Sequence, residues 1–114
     1  MLKLNAFYTL PDLFALVKTK CERDVDYSIY WLDNAPDPTL QDRVFVAAPV
    51  DVDDEDNEAF PQIVNDNGFW YFCSDENIQD VIDVAIDQKP NASDEEQLKC
   101  LDYYLKRDTF LDLA

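Results

Sequence analysis

Apolar residues recur along this chain with two different periods, and the switches between them mark out the elements. Leu10, Leu13, Phe14 and Val17 return at offsets of three, four and seven, the spacing of one buried helix face. Thr9 is placed to cap that helix, Pro11 fits its first turn, and Asp12 completes a start resembling a capping box. Lys18, Lys20 and Arg23 suit its C-terminal end, so a helix is expected from Leu10 to Lys20. Tyr27 to Leu32 is aromatic and β-branched and reads as a strand. Tyr27, Ile29 and Trp31 would lie on one face, with Ser28, Tyr30 and Leu32 on the other.

Asn34 to Pro38 breaks the pattern as a loop, and Arg43 to Ala48 forms a second strand closed by Pro49. The acidic run that follows is expected to be a loop, at residues 50–60. From Phe60 to Asn67 a short helix ending at Gly68 is favoured over a hairpin arm, because Pro61 would weaken a strand. Phe69 to Cys73 is apolar on both faces, which predicts a central strand. Ser74 then caps a helix to Gln88 with Ile78, Val81, Ile82 and Ala85 inward, and Pro90 ends it. Ser93 and Glu96 form a capping box for a last helix, Asp94 to Arg107, that buries Leu98, Leu101 and Leu105 with Tyr104 alongside. The tail from Asp108 is expected to pack back on the sheet. These elements predict one α+β domain over residues 1–114. Its small antiparallel sheet of three or four strands is covered by about three helices on one face.

Length and composition agree with one domain: 114 residues, 47% apolar, are enough to bury a core. Charge changes the picture more. Asp24 to Gln88 holds seventeen acids and one base, Arg43, so this segment carries the whole net charge of −16. Such a field disfavours nucleic acid and anionic membrane as direct partners and steers cationic ones. No signal sequence and no apolar span of membrane length stands out. Cys21, Cys73 and Cys100 are odd in number and far apart, which fits reduced thiols and a cytoplasmic setting.

Two acidic features stand out within the segment. Asp51, Asp53, Asp54, Glu55, Asp56 and Glu58 crowd into eight residues. Glu76, Asp80, Asp83 and Asp87 share one face of the helix after Ser74, and like charges at that spacing cost about 0.2–0.5 kcal/mol per pair. One explanation is a merely solvated face. The other is a surface kept acidic for a basic partner, at some expense in stability. Of the two features, the helical stripe is the better ordered, and ordering a loop costs about 1–2 kcal/mol per residue fixed.

Other chemistry finds little support. The run matches an EF-hand at positions one, three and five, but Asp56 stands where glycine is needed and Gln62 where a bidentate Glu is needed. No metal or cofactor is expected. The chain has no His, no phosphate-binding glycine loop, no nucleophile elbow and no Cys-x-x-Cys, so no catalytic residue is assigned. The aromatics Tyr27, Trp31, Phe69, Trp70, Tyr71 and Phe72 are expected mainly in the core. Tyr30 or Trp31 is a candidate exposed anchor beside Asp33 and Asp37.

Residues 60–110 also carry a resemblance. It rests on Phe69-Trp70-Tyr71-Phe72, Ile78-Gln79-Asp80-Val81-Ile82, Gln88-Lys89-Pro90-Asn91-Ala92-Ser93, and Tyr103-Tyr104-Leu105 before Asp108-Thr109-Phe110. This half resembles small bacterial domains of unknown function similar to immunity proteins of toxin–immunity systems, including contact-dependent growth inhibition. The resemblance implies a cytoplasmic antitoxin that binds a cognate toxin domain, often a basic nuclease, and occludes its working surface. A monomer is favoured. A second reading is an acidic mimic of nucleic acid that regulates a host nucleic-acid-binding protein. A third is an acidic domain whose charge serves solubility alone. The acidic residues named above are the expected contact residues in the leading reading.

Overall fold

The computed structural model describes residues 2–32, 39–52, 54–55 and 57–113. The predicted loop at Asn34–Pro38, with Asp33 and Asp37, lies outside the described residues, as do Asp53 and Asp56. The elements are β1 (Ala6–Thr9), α1 (Leu10–Lys18), β2 (Ser28–Trp31), β3 (Arg43–Ala47), β4 (Asp51–Val52), β5 (Glu58–Ala59), α2 (Gln62–Asn67), β6 (Trp70–Ser74), α3 (Asp75–Gln88) and α4 (Asp94–Arg107). β1, β3, β2 and β6 form an antiparallel sheet in that order, and β4 pairs with β5 in a small hairpin. The α+β class is therefore as expected.

Helix starts follow the local chemistry. The Thr9 hydroxyl accepts from the Asp12 amide at 3.3 Å, and the side chains of Ser74 and Ser93 each close a reciprocal capping box, with Asn77 and Glu96. Gly68 takes the left-handed conformation, φ 65°, that terminates α2. α1, α3 and α4 lie on one face of the sheet. There Leu10, Leu13, Phe14 and Val17 meet Ile29, Trp31, Val44, Val46, Ile78, Val81, Ile82, Ala85 and Leu101.

Several expectations are corrected. A strand, β1, precedes α1 and was not expected. It is four residues long and gives its last residue, Thr9, to the helix cap, so too little alternation is left to read. The acidic run is not simply a loop but carries the β4–β5 hairpin, in which Asp51 faces Ala59 and Val52 faces Glu58. The sheet is not covered on one face only: Val64 of α2 packs on Tyr30, Phe45 and Ala47 of the outer face, with Val50, Phe60, Ile63 and Phe69 around them.

β6 is an edge strand, not a central one. Its register against β2 shifts at Phe72, so Phe72 and Cys73 both join the helix-side core while Trp70 and Tyr71 stay exposed. The bulge, rather than burial on two faces, explains the unbroken apolar run. Finally, Leu105 is exposed, and α4 buries Gln97, Cys100 and Leu101. The tail is held by the helices. Gln88 donates to the Leu111 carbonyl (3.0 Å) and accepts from the Leu113 amide (2.9 Å), while Phe110 stacks on Tyr104.

Candidate functional site

All four stripe residues on α3, Glu76, Asp80, Asp83 and Asp87, are exposed, as a helix packing Ile78, Val81, Ile82 and Ala85 inward requires. They are not electrostatically equal. Arg23 Nη2 lies 3.4 Å from Asp83, and Lys18 and Lys20 at the end of α1 line one cleft with Asp83, Asp87, Val84, Ile86 and Pro90. The C-terminal half of the stripe therefore shares its surroundings with three cations. Glu76 and Asp80 form no ion pair among the described residues. Glu76 also sits in the first turn, where negative charge suits the helix dipole. The unneutralised part of the stripe is the end nearest β6.

Asp51, Asp54, Glu55 and Glu58 on the hairpin are likewise exposed. The hairpin is anchored at both ends, because Val50 before it and Phe60 after it pack on the outer-face core. It thus hangs from the layer opposite α3, and the two acidic features do not form one helix-side surface. The expected aromatic anchors are also reassigned. Tyr30 and Trp31 are buried, whereas Phe7, Trp70 and Tyr71 are exposed.

One constellation was invisible in the charged run Lys20-Cys21-Glu22-Arg23-Asp24. Glu22 is buried, 1% exposed, between α1 and β2. Its carboxylate accepts from the Tyr27 hydroxyl (2.7 Å), from the Gln79 amide (2.7 Å) and from Arg23 Nε. Burial, then the Glu22 carboxylate, push the Tyr27 hydroxyl far above the usual tyrosine value. With three donors from its own chain, Glu22 fastens the α1–β2 loop to α3. Local sequence does not mark its burial, since beyond the adjacent Arg23 its partners are five and fifty-seven residues away.

The thiols sit as free cysteines, Cys21 exposed and Cys73 and Cys100 buried. Among the described residues, no group of three or more acids, cysteines or histidines is arranged to hold a metal. No described helix is long and apolar enough to cross a membrane. No curated protein and no solved structure gives a match. A family model does, over residues 7–113, so the chain belongs to the DUF7716 family, a domain of unknown function.

Proposed function

We propose that this chain is an immunity protein: a stoichiometric inhibitor that binds a basic toxin domain of the nuclease type and occludes its substrate surface. The observation that carries the reading is the pair Glu76 and Asp80, exposed and unneutralised on an ordered helix, within a segment holding the entire −16 charge. A stripe of like charge works against the helix that bears it, so its retention fits a surface kept for a cationic partner. Carboxylates held there would pair with the Lys and Arg that otherwise grip phosphates. Encounter is then fast and salt-sensitive, while affinity is set by a few desolvated contacts. The site of action is the cytoplasm, where the three thiols stay reduced.

The test uses the C-terminal domain encoded by the neighbouring upstream gene, purified and titrated with the full chain. A one-to-one complex that blocks that domain's activity, with an association rate that falls steeply with salt, is expected. Glu76→Lys with Asp80→Lys should slow association and abolish protection. Unchanged rate and protection in that variant would sink the charged-face model. Protection extended equally to unrelated basic nucleases would favour a general nucleic-acid mimic instead.

A further inference from the structure

The sheet ends at β6, and the two exposed aromatics of that edge serve opposite layers. Tyr71 lies opposite Tyr30 on the outer face, ring centroids 6.0 Å apart, whereas Trp70 lies opposite Trp31 on the helix-covered face. They are 46% and 52% exposed, whereas Tyr30, Trp31, Val44 and Phe45 of the two inner strands are at most 7% exposed; Phe7, 47% exposed on the opposite edge strand, lies under Arg43. Trp and Tyr left half in water at one edge are the residue types that most often dominate interface energy.

Carboxylates border this edge from both layers. β6 runs straight into α3, so Asp75 and Glu76 in the first turn of that helix follow the edge strand directly, with Asp80 one turn further along. On the other side stands the hairpin that carries Glu58, held by Val50 and Phe60 to the same outer layer on which Tyr71 lies against Tyr30. The Tyr71 hydroxyl is raised above its ordinary value by burial first, with Glu58 and Asp75 among the smaller causes. Matching cations are missing from the segment. Arg43, its single base, sits over the Phe7 ring at 5.4 Å, on the opposite edge strand β1.

We infer that the β6 edge is the centre of the docking surface for one cationic protein partner. Trp70 and Tyr71 are buried at the contact, and Glu58, Glu76 and Asp80 form its charged rim. The hairpin and the α3 stripe then reach the same partner from the two layers of the sheet. This rests on the cationic partner proposed above. Arginine suits the site best, because its planar guanidinium stacks on aromatic faces and pairs with carboxylates. The bulge at Phe72 interrupts the ladder and bends the edge, so contact through side chains is favoured over an added strand. A second copy is disfavoured, since it would bring a further charge of −16 to the same edge.

The experiment maps amide and indole NMR shifts of the full chain on titration with the peptide Gly-Arg-Gly-Arg-Gly, against Gly-Glu-Gly-Glu-Gly as control. Shifts centred on Trp70, Tyr71, Glu58 and Glu76 are expected with the arginine peptide alone. Trp70→Ala with Tyr71→Ala should weaken binding about tenfold. Glu58→Gln and Glu76→Gln should each weaken it about two- to threefold. Unmoved signals from Val46 and Leu101 would report an intact core. Shifts confined to Asp83–Asp87, or no shift at the edge with millimolar peptide, overturn the inference, as does a dimer that buries Trp70. The upstream toxin domain separates the two ideas. If it fails to bind while the peptide maps to the edge, the toxin reading falls and the edge stands. If it binds indifferently to Trp70 and Tyr71 but is lost with Glu76→Lys and Asp80→Lys, the edge falls and the toxin reading stands.

Discussion

The Tyr27 hydroxyl donates a 2.7 Å hydrogen bond to the Glu22 carboxylate, and both groups are shut away from solvent. A carboxylate in that position is tolerable only because Gln79 and Arg23 also donate to it. Removing Glu22 leaves the buried Tyr27 hydroxyl without its acceptor, whereas removing the Tyr27 hydroxyl leaves Glu22 with Gln79 and Arg23 still donating. Glu22→Ala is therefore expected to cost about 1–3 kcal/mol, and Tyr27→Phe about 1 kcal/mol. Urea denaturation of each variant measures it, and a loss under 1 kcal/mol for Glu22→Ala would show that the network contributes little.

Alkaline pH should unfold this protein through the same layer. Burial pushes the Cys73 thiol and the Tyr27 hydroxyl far above their usual values. The folded chain thus holds two protons that the unfolded chain releases, so raising pH favours unfolding. The stabilisation from these protons is complete below the unfolded thiol value of about 8.5 and declines above it, more steeply past the tyrosine value of about 10. Cys73→Ala with Tyr27→Phe should flatten the slope of stability against pH in this range. An equally steep slope in that variant would place the titration elsewhere.

At the acid end, Glu96 works with the opposite sign. Its hydrogen bonds from Lys89 Nζ, at 3.0 and 2.8 Å, and from the Ser93 amide hold its carboxyl below the ordinary glutamate value. Whatever it contributes is present above the unfolded value of about 4.3 and is lost as pH falls through the lower folded one. Glu96→Gln should blunt this part of the acid transition, as read by circular dichroism from pH 5 downward.

The α3 stripe predicts an opposition between stability and association. Asp80→Lys places a cation four residues after Glu76, and should stabilise the helix by about 0.2–0.5 kcal/mol. The same change should slow association with a cationic partner. Asp83→Asn should matter less for association, because Arg23 already shares that charge. Stopped-flow rates at several salt concentrations would check the order, and equal effects at Asp80 and Asp83 would contradict it.

Gly68 closes α2 at φ 65° with nothing within 4 Å of where a Cβ would stand. Gly68→Ala should therefore cost about 1 kcal/mol through backbone strain alone. Gly68→Asn should cost less, since Asn tolerates the left-handed region. Thermal melts of the two variants would test the ranking.

Much of this molecule was legible because its signals are local. The caps at Thr9, Ser74 and Ser93, the apolar spacing of Leu10 to Val17 and of Ile78 to Ala85, and the break at Pro90 each act within a turn or two. The exposure of the acidic stripe followed from the same periodicity. Tertiary structure decided everything that depends on distant neighbours. It put β6 at an edge with its bulge at Phe72, exposed Trp70 and Tyr71, and buried Glu22 against a tyrosine and a glutamine that no pattern links to it. It also divided the acids. Arg23, Lys18 and Lys20 are brought to Asp83 and Asp87 only when α1 packs on α3, and the hairpin is carried to the other layer by Val50 and Phe60. Periodicity tells a chain which face of an element turns inward, because that depends on spacing along one axis. Which elements become neighbours, and so which charges meet, depends on the sheet order that brings them together.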